Sequence, residues 1–388
     1  MARLQNSRSS EPPIQLQEIP IGPGQRYRLG RATLNSPKSL NALSLDMIQQ
    51  LLDQLSEWAD DPNLVAIWLE GAGDKAFCAG GDVVQVYRAM AEYGEDENPE
   101  AIDYFSHEYR LDHLLHTFPK PVICWGHGIV MGGGMGLMPG ADFRIVTEQS
   151  RLAMPEITIS LFPDVGGSWF LNRMPGRTGR FVALTGAPMN ASDALFAGLA
   201  DRCIAHENKG EVLAAIREAP WDGSPAHNRH MLNRLLRDIA HHEAHELHLP
   251  DSQLRTHFDR INQLMDHPDI EGVVHAITGL TDSAPWLQQA AATLKKGSPA
   301  AAWVIDRQLT RARYWSLAEV FQHELVLAVN CCRLGEFREG VRALLIDKDK
   351  QPRWRYPDIE SVEAEFVDAH FVNHWTDNPL SDLTSDQP

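Results

Sequence analysis

Two glycine turns, one ending in an acid and both followed by two further carboxyls, constrain this chain more than anything else in it. Residues 77–82 read FCAGGD and residues 127–136 read HGIVMGGGMG. Residues 154–167, MPEITISLFPDVGG, carry Glu156 and Asp164 eight positions apart. A glycine turn lets the main chain approach a bound group closely, because no Cβ stands in the way. Two such turns can aim two backbone N–H groups at one point. Preorganised N–H donors stabilise the oxyanion that forms when a carbonyl is attacked. Gly80-Gly81 follows a strand-like run and precedes a helical one, and Gly133 lies in a second cluster of the same kind. A helix opening in that cluster adds positive potential at the same spot. Taken singly, each cluster also reads as an ordinary tight strand-to-helix connection. Together, with carboxyls behind them, they read as an enzyme.

The carboxyls carry two readings each. Glu156 follows Pro155 and Asp164 follows Pro163, with Met154, Ile157, Leu161 and Phe162 around them. Apolar neighbours bury a carboxyl, and burial raises its pKa toward values useful in a general base. Alone, Glu156 also reads as half of an ion pair, and Asp164 as a helix N-cap before Val165-Gly166-Gly167. Neither glycine cluster contains G-x-G-x-x-G, and the phosphate-binding pattern G-x-x-x-x-G-K-S/T is absent, so the glycines do not argue for NAD or ATP. No G-x-S-x-G elbow offers a serine nucleophile. Cys78 reads as a small packing residue. The run His241-His242-Glu243-Ala244-His245-Glu246-Leu247-His248 lacks H-E-x-x-H and a nearby cysteine, and reads as a polar helix face rather than a metal site. No cofactor and no metal are expected.

At 388 residues with 43% apolar side chains, the chain has ample material for one or two domains. Its net charge of −17 argues against nucleic acid as a partner but not against an anionic small molecule. The five cysteines are odd in number and form no C-x-x-C pair, which suits a reducing compartment, the cytoplasm or alternatively the mitochondrial matrix. No apolar run approaches the roughly 20 residues that span a bilayer, so no membrane association is expected. Residues 1–13, MARLQNSRSSEPP, read as a polar tail, with a short transit peptide as the alternative.

Periodicity divides the rest. Residues 26–34 and 65–69 read as strands, and Ser44 caps a helix whose apolar face is Leu45, Ile48, Leu51, Leu52, Leu55 and Trp58. Strands at 121–125 and 143–147 alternate with helices after Asp82 and within 132–136, an α/β pattern. From about 205 the pattern is helical. Residues 220–228 read as a linker, and residues 299–335 as two helices started at Ser298-Pro299 and Ser316 and stopped at Gly335. The expected organisation is a tail over 1–20, a core carrying the active site over 21–205, a helical insertion over 206–298, a C-terminal helical region over 299–376 and a disordered tail over 377–388.

These motifs resemble the enoyl-CoA hydratase/isomerase (crotonase) superfamily, most closely its 3-hydroxyisobutyryl-CoA hydrolase branch. LNSPKSLNAL at 34–43, FPDVGG at 162–167 and EGVRALLIDKDKQPRW at 339–354 add to the resemblance, which runs from about 25 to 375. The resemblance implies a spiral of ββα units followed by helices, and a substrate bound as a coenzyme A thioester. It implies an oxyanion hole from the amides of Gly81 and Gly133, Glu156 as acid/base or nucleophile, and Asp164 as an assisting carboxyl. It also implies Glu108 as a substrate contact, although local sequence alone reads Glu108 as a solvated helix residue. Coenzyme A is then part of the substrate, not a cofactor. Hydratases of the superfamily place a second glutamate where this chain has Gly136, which favours thioester hydrolysis. The competing readings are an enoyl-CoA hydratase or isomerase and a non-catalytic acyl-CoA binder. The resemblance leaves homo-oligomerisation open, since relatives often trimerise through C-terminal helices.

Overall fold

A computed structural model describes residues 12–243, 247–281 and 284–384. Ten strands form two sheets: β1 (Ile14–Ile21), β2 (Tyr27–Leu34), β3 (Leu64–Gly71), β4 (Ala76–Cys78), β5 (Val122–Gly126), β6 (Ile129–Met131), β7 (Phe143–Val146), β8 (Arg151–Ala153), β9 (Met189–Asn190) and β10 (Arg202–Cys203). The larger sheet runs β1-β2-β3-β5-β7-β10 and the smaller β4-β6-β8-β9. Successive pairs β3/β4, β5/β6 and β7/β8 each give one strand to each sheet before the chain turns helical. That is a spiral of ββα turns, as expected. Pairing is parallel from β2 to β10 and from β4 to β8, while β1·β2 and β8·β9 are antiparallel. Both faces of β3 are covered, which explains why LVAIWLEG does not alternate.

Helix α1 (Leu45–Asp60) starts where Ser44 Oγ accepts from the Met47 amide, and it buries Met47, Ile48, Leu51, Leu55 and Trp58. The Trp58 ring lies over Gly30 of β2, where an added Cβ would stand 2.8 Å from ring carbon Cε3. Trp58 cannot swing away, because its Nε1 is tied to Glu18 Oε1 at 3.1 Å. Gly30→Ala is therefore expected to destabilise the fold. Overpacking costs about 1–3 kcal/mol and outweighs the ~0.4–1 kcal/mol gained by stiffening the unfolded chain. A urea midpoint equal to or above that of the parent protein would contradict this packing.

Three expectations need correction. The stretch 14–20 is not tail but strand: IQLQEIPI pairs along its whole length with β2, with Pro20 tolerated because β1 is an edge. Residues 1–11, with the transit-peptide alternative, lie outside the described residues. The expected linker over 220–228 is packed. Trp221 is buried, its Nε1 donates to Ile216 O at 2.6 Å, and Asn228 closes the turn on Asp222. This anchors helices Lys209–Glu218 and Pro225–Glu243 beneath the large sheet, in a second core with Trp68 and Trp125. The C-terminal stretch is also held as far as residue 384. Leu380 is fully buried, Asp382 pairs with both terminal nitrogens of Arg110, and Gln322 donates to Leu380 O. Residues 385–388 lie outside the description.

Helices Pro299–Ala312 and Leu317–Arg333 start at Ser298 and Ser316, each with a side-chain cap. Of the histidine run, His241, His242 and Glu243 end the helix Pro225–Glu243, and residues 244–246, His245 among them, lie outside the described residues. Among the described residues, no group of His, Cys, Asp and Glu side chains is arranged to hold a metal, and no helix is long and apolar enough to cross a membrane.

Candidate active site

Strands β4, β6 and β8 are parallel neighbours, so their C-terminal ends reach one edge together. From those three ends come the Gly80-Gly81 turn, the Gly132-Gly133 turn and Pro155-Glu156. The topology, not chance, collects the motifs. Gly80 at φ +120° and Gly132 at φ +46° hold conformations that side chains resist. A Cβ on Gly132 would meet Gly80 Cα at 3.2 Å and Glu156 Oε1 at 3.6 Å. One on Gly133 would stand 3.4 Å from the Gly81 nitrogen. The two turns and Glu156 are thus in mutual contact.

Backbone bonding leaves both amides unclaimed. Leu43 brackets Gly81 by donating to Gly80 O at 2.8 Å and accepting from the Asp82 amide at 2.7 Å. Gly133 is the first residue of helix α4 (Gly133–Leu137), which has no side-chain cap. Among the described residues, neither the Gly81 nor the Gly133 amide donates to a protein acceptor. Cys78 packs at the base, wholly buried, its thiol pushed up to about 12 by burial.

The carboxyls face these amides in a cleft of about 480 Å³ lined by Gly80, Gly81, Gly132, Gly133, Glu108, Glu156 and Asp164. Glu156 opens the turn Glu156–Ile159 and is buried. Among the described residues its Oε2 has no hydrogen-bond partner and its carboxylate no ion pair. Burial, reinforced by the charge of Asp164, holds its pKa well above the usual carboxylate range. Asp164 does not cap a helix with its side chain. Its Oδ2 accepts from the Tyr109 hydroxyl at 2.7 Å, and the N-cap position belongs to Gly166. Burial raises Asp164 to about 6, opposed by the Tyr109 hydroxyl and its own amide. Glu108, on α3 (Pro99–His116; the helix before it, Val83–Tyr93, is α2), is buried at 3% exposure and not solvated. A Cβ on Gly133 would meet its Oε1 at 2.7 Å.

Four further groups escaped the sequence reading. Tyr104 donates to Leu43 O at 3.0 Å, fixing the bracket around Gly81, and Tyr109 holds Asp164. Asp112 is fully buried beside Gly136, where a Cβ would stand 2.6 Å from both its oxygens. Its pKa is raised well above the usual range by burial, then by Glu108 and Asp164. Tyr104, Glu108 and Asp112 recur every fourth residue, one face of α3, and that spacing was the available signal. Glu324 is the buried acid of the stretch LAEVFQHELVLAV, in which Glu319 is exposed. It accepts from the amides of Gly166 at 2.8 Å and Ser168 at 2.9 Å, and burial raises it to about 8.

Burying these acids has a pH signature. Below its unfolded value of 3.8, Asp164 is protonated in both states. Between there and about 6 the unfolded chain loses its proton first, so stability falls as pH rises. Above that window the folded state carries the whole cost, about 3 kcal/mol. Asp164→Asn keeps an acceptor for Tyr109 and cannot ionise. It is expected to raise the urea midpoint above pH 6 and leave it unchanged below pH 4. Equal stability of the two proteins at both pH values would contradict the burial argument.

The profile of the enoyl-CoA hydratase/isomerase family matches residues 29–371. A Gallus gallus protein named "3-hydroxyisobutyryl-CoA hydrolase, mitochondrial" is 39% identical over 347 residues, 88% of this chain and 86% of that protein. A Homo sapiens protein of the same name is 36% identical over the same shares. Among solved structures, an enoyl-CoA hydratase from Rhodobacter sphaeroides superposes with a TM-score of 0.80 at 30% identity, covering 94% of this chain and 98% of its own. A carnitinyl-CoA dehydratase from Mycobacterium thermoresistibile gives 0.79 at 30%, covering 91% and 96%. The likeness covers nearly the whole chain, and the chain belongs to the enoyl-CoA hydratase/isomerase family.

Proposed function

We propose that this chain hydrolyses an acyl-CoA thioester, 3-hydroxyisobutyryl-CoA, to 3-hydroxyisobutyrate and coenzyme A, a step of valine breakdown. The observation that carries the reading is the pair of unclaimed amides, Gly81 and Gly133, with Glu156 in the same cleft. The relatives' names supply the acyl group. The thioester oxygen accepts from both amides, and each such donor contributes about 2.7–4 kcal/mol as negative charge develops there. Glu156 acts on the carbonyl carbon by one of two routes. As a general base it takes a proton from water, whose oxygen adds to the carbon. As a nucleophile it adds directly, giving a mixed anhydride that water then opens. In both, the C–S bond breaks and coenzyme A leaves as a thiolate, which needs no concerted proton. Asp164, fixed by Tyr109 through Oδ2, offers Oδ1 to the substrate's 3-hydroxyl, and Glu108 lines the acyl end. Nothing in this scheme calls for a cofactor or metal.

Five free thiols suit a reducing compartment, cytoplasm or mitochondrial matrix. The test is thiol release from a panel of short acyl-CoAs. Release is expected from 3-hydroxyisobutyryl-CoA and related 3-hydroxyacyl thioesters. Consumption of crotonyl-CoA without thiol release would instead indicate a hydratase, and binding of coenzyme A esters without turnover a non-catalytic binder.

A further inference from the structure

Asp164 stands one residue before a strained position. Val165 has φ +52°, left-handed backbone that a β-branched side chain adopts only under constraint, and Gly166 follows at +83°. The Asp164 carbonyl accepts from the Gly167 amide at 2.7 Å, so the turn directs Asp164 back toward α3 and Tyr109. Something must hold that turn against the preference of Val165 to relax. The only side chain that accepts from its Gly166 and Ser168 amides, among the described residues, is Glu324, some 160 positions away in sequence on the helix Leu317–Arg333. Its two oxygens take one amide each. Glu324 is fully buried, and Phe321, one helical turn earlier, lies against Gly166 at a distance that admits no Cβ without a shift. From the neighbouring helix, Gln308 donates to Ser168 Oγ at 3.1 Å and braces the same turn.

We propose that Glu324 is a positioning residue of the site: its carboxyl grips the Gly166 and Ser168 amides, keeps Val165 left-handed and so holds Asp164 on Tyr109. The helix Leu317–Arg333 then acts on the chemistry through the turn that carries Asp164. An ordinary buried carboxyl needs two donors and has them. What marks this one is that its donors are the two amides beyond a strained residue that itself follows an active-site acid.

The inference rests on the proposed thioesterase reading for its kinetic arm, and a folding arm stands apart from it. Glu324→Gln keeps the size but turns an NH₂ donor toward one of the two amides. It is expected to lower kcat for thiol release by about 30-fold with KM changed less than about threefold, the pattern of a lost transition-state interaction. Val165→Gly accepts φ +52° freely. In the Glu324→Gln background it is expected to restore kcat by about tenfold, while in the parent protein it leaves kcat within about threefold, because there the turn is already held. A buried carboxyl with a purely structural role predicts no rescue, with Val165→Gly lowering activity or stability alike in both backgrounds, and that result overturns the proposal. If Glu324→Gln does not fold, Glu324→Asp, which keeps a carboxyl but is one methylene shorter and reaches only one amide, carries the same comparison. Urea unfolding of the four proteins of the cycle provides the second arm. Non-additive stabilities support the clamp, and additive ones overturn it even if the parent protein releases no thiol, an outcome that refutes the thioesterase reading instead.

Discussion

Glu156→Gln is expected to lower kcat for thiol release by about 10³-fold or more while leaving acyl-CoA binding nearly intact. Glutamine matches glutamate in shape, so the cleft should not reorganise. What is lost is the ability to take a proton or to form a bond to the acyl carbon. The site is built to make that ability matter: Glu156 is buried, its Oε2 has no hydrogen-bond partner among the described residues, and its pKa is held up by burial and by Asp164. A carboxyl raised in this way is a better base when ionised, but fewer molecules are ionised at low pH. Parent kcat should therefore rise with pH through the elevated Glu156 titration, and the variant's residual rate should not follow that titration. An unchanged kcat would remove Glu156 from the mechanism.

Gly133→Ala is expected to lower kcat/KM by about 10²–10³-fold. The added methyl would stand 3.4 Å from the Gly81 nitrogen, 3.0 Å from Leu43 Cδ1 and 2.7 Å from Glu108 Oε1. It would occupy the space between the two amides, where the thioester oxygen is proposed to bind. The fold should tolerate it better than the reaction does. Gly133 has no positive φ, and the two closest atoms the methyl meets, Leu43 Cδ1 and Glu108 Oε1, are ends of side chains that can give way. A large activity loss with the urea midpoint nearly unchanged is the expected signature. Full activity would mean that the oxyanion, if one forms, is held elsewhere.

The elements that converge in the cleft differ in how plainly the sequence announces them. Gly81, Gly133 and Glu156 end three neighbouring parallel strands, and each carries a local mark, a doubled glycine or a proline-acid pair after a strand-like run. Asp164 is marked in the same way, and the family resemblance adds Glu108. Tyr109, Asp112 and Glu324 carry no such mark, because what they do depends on which helix lies against which turn. Glu324 acts on amides far along the chain, a distance that only packing closes. The same cause hid the ends. Leu380, with Leu383 beside it in polar surroundings, anchors the C-terminal stretch, and Trp221 turns an apparent linker into core. The N-terminal strand did have a signal, the alternation in IQLQEIPI, obscured by the proline that an edge strand permits.

A crystal structure with a non-hydrolysable analogue of 3-hydroxyisobutyryl-CoA tests the account where it is most exposed. The expected result is one carbonyl oxygen within about 3 Å of both the Gly81 and Gly133 nitrogens, with a Glu156 oxygen facing the acyl carbon from the opposite side. A carbonyl bound to neither amide, or reaching only one of them with Glu156 turned away, would contradict it.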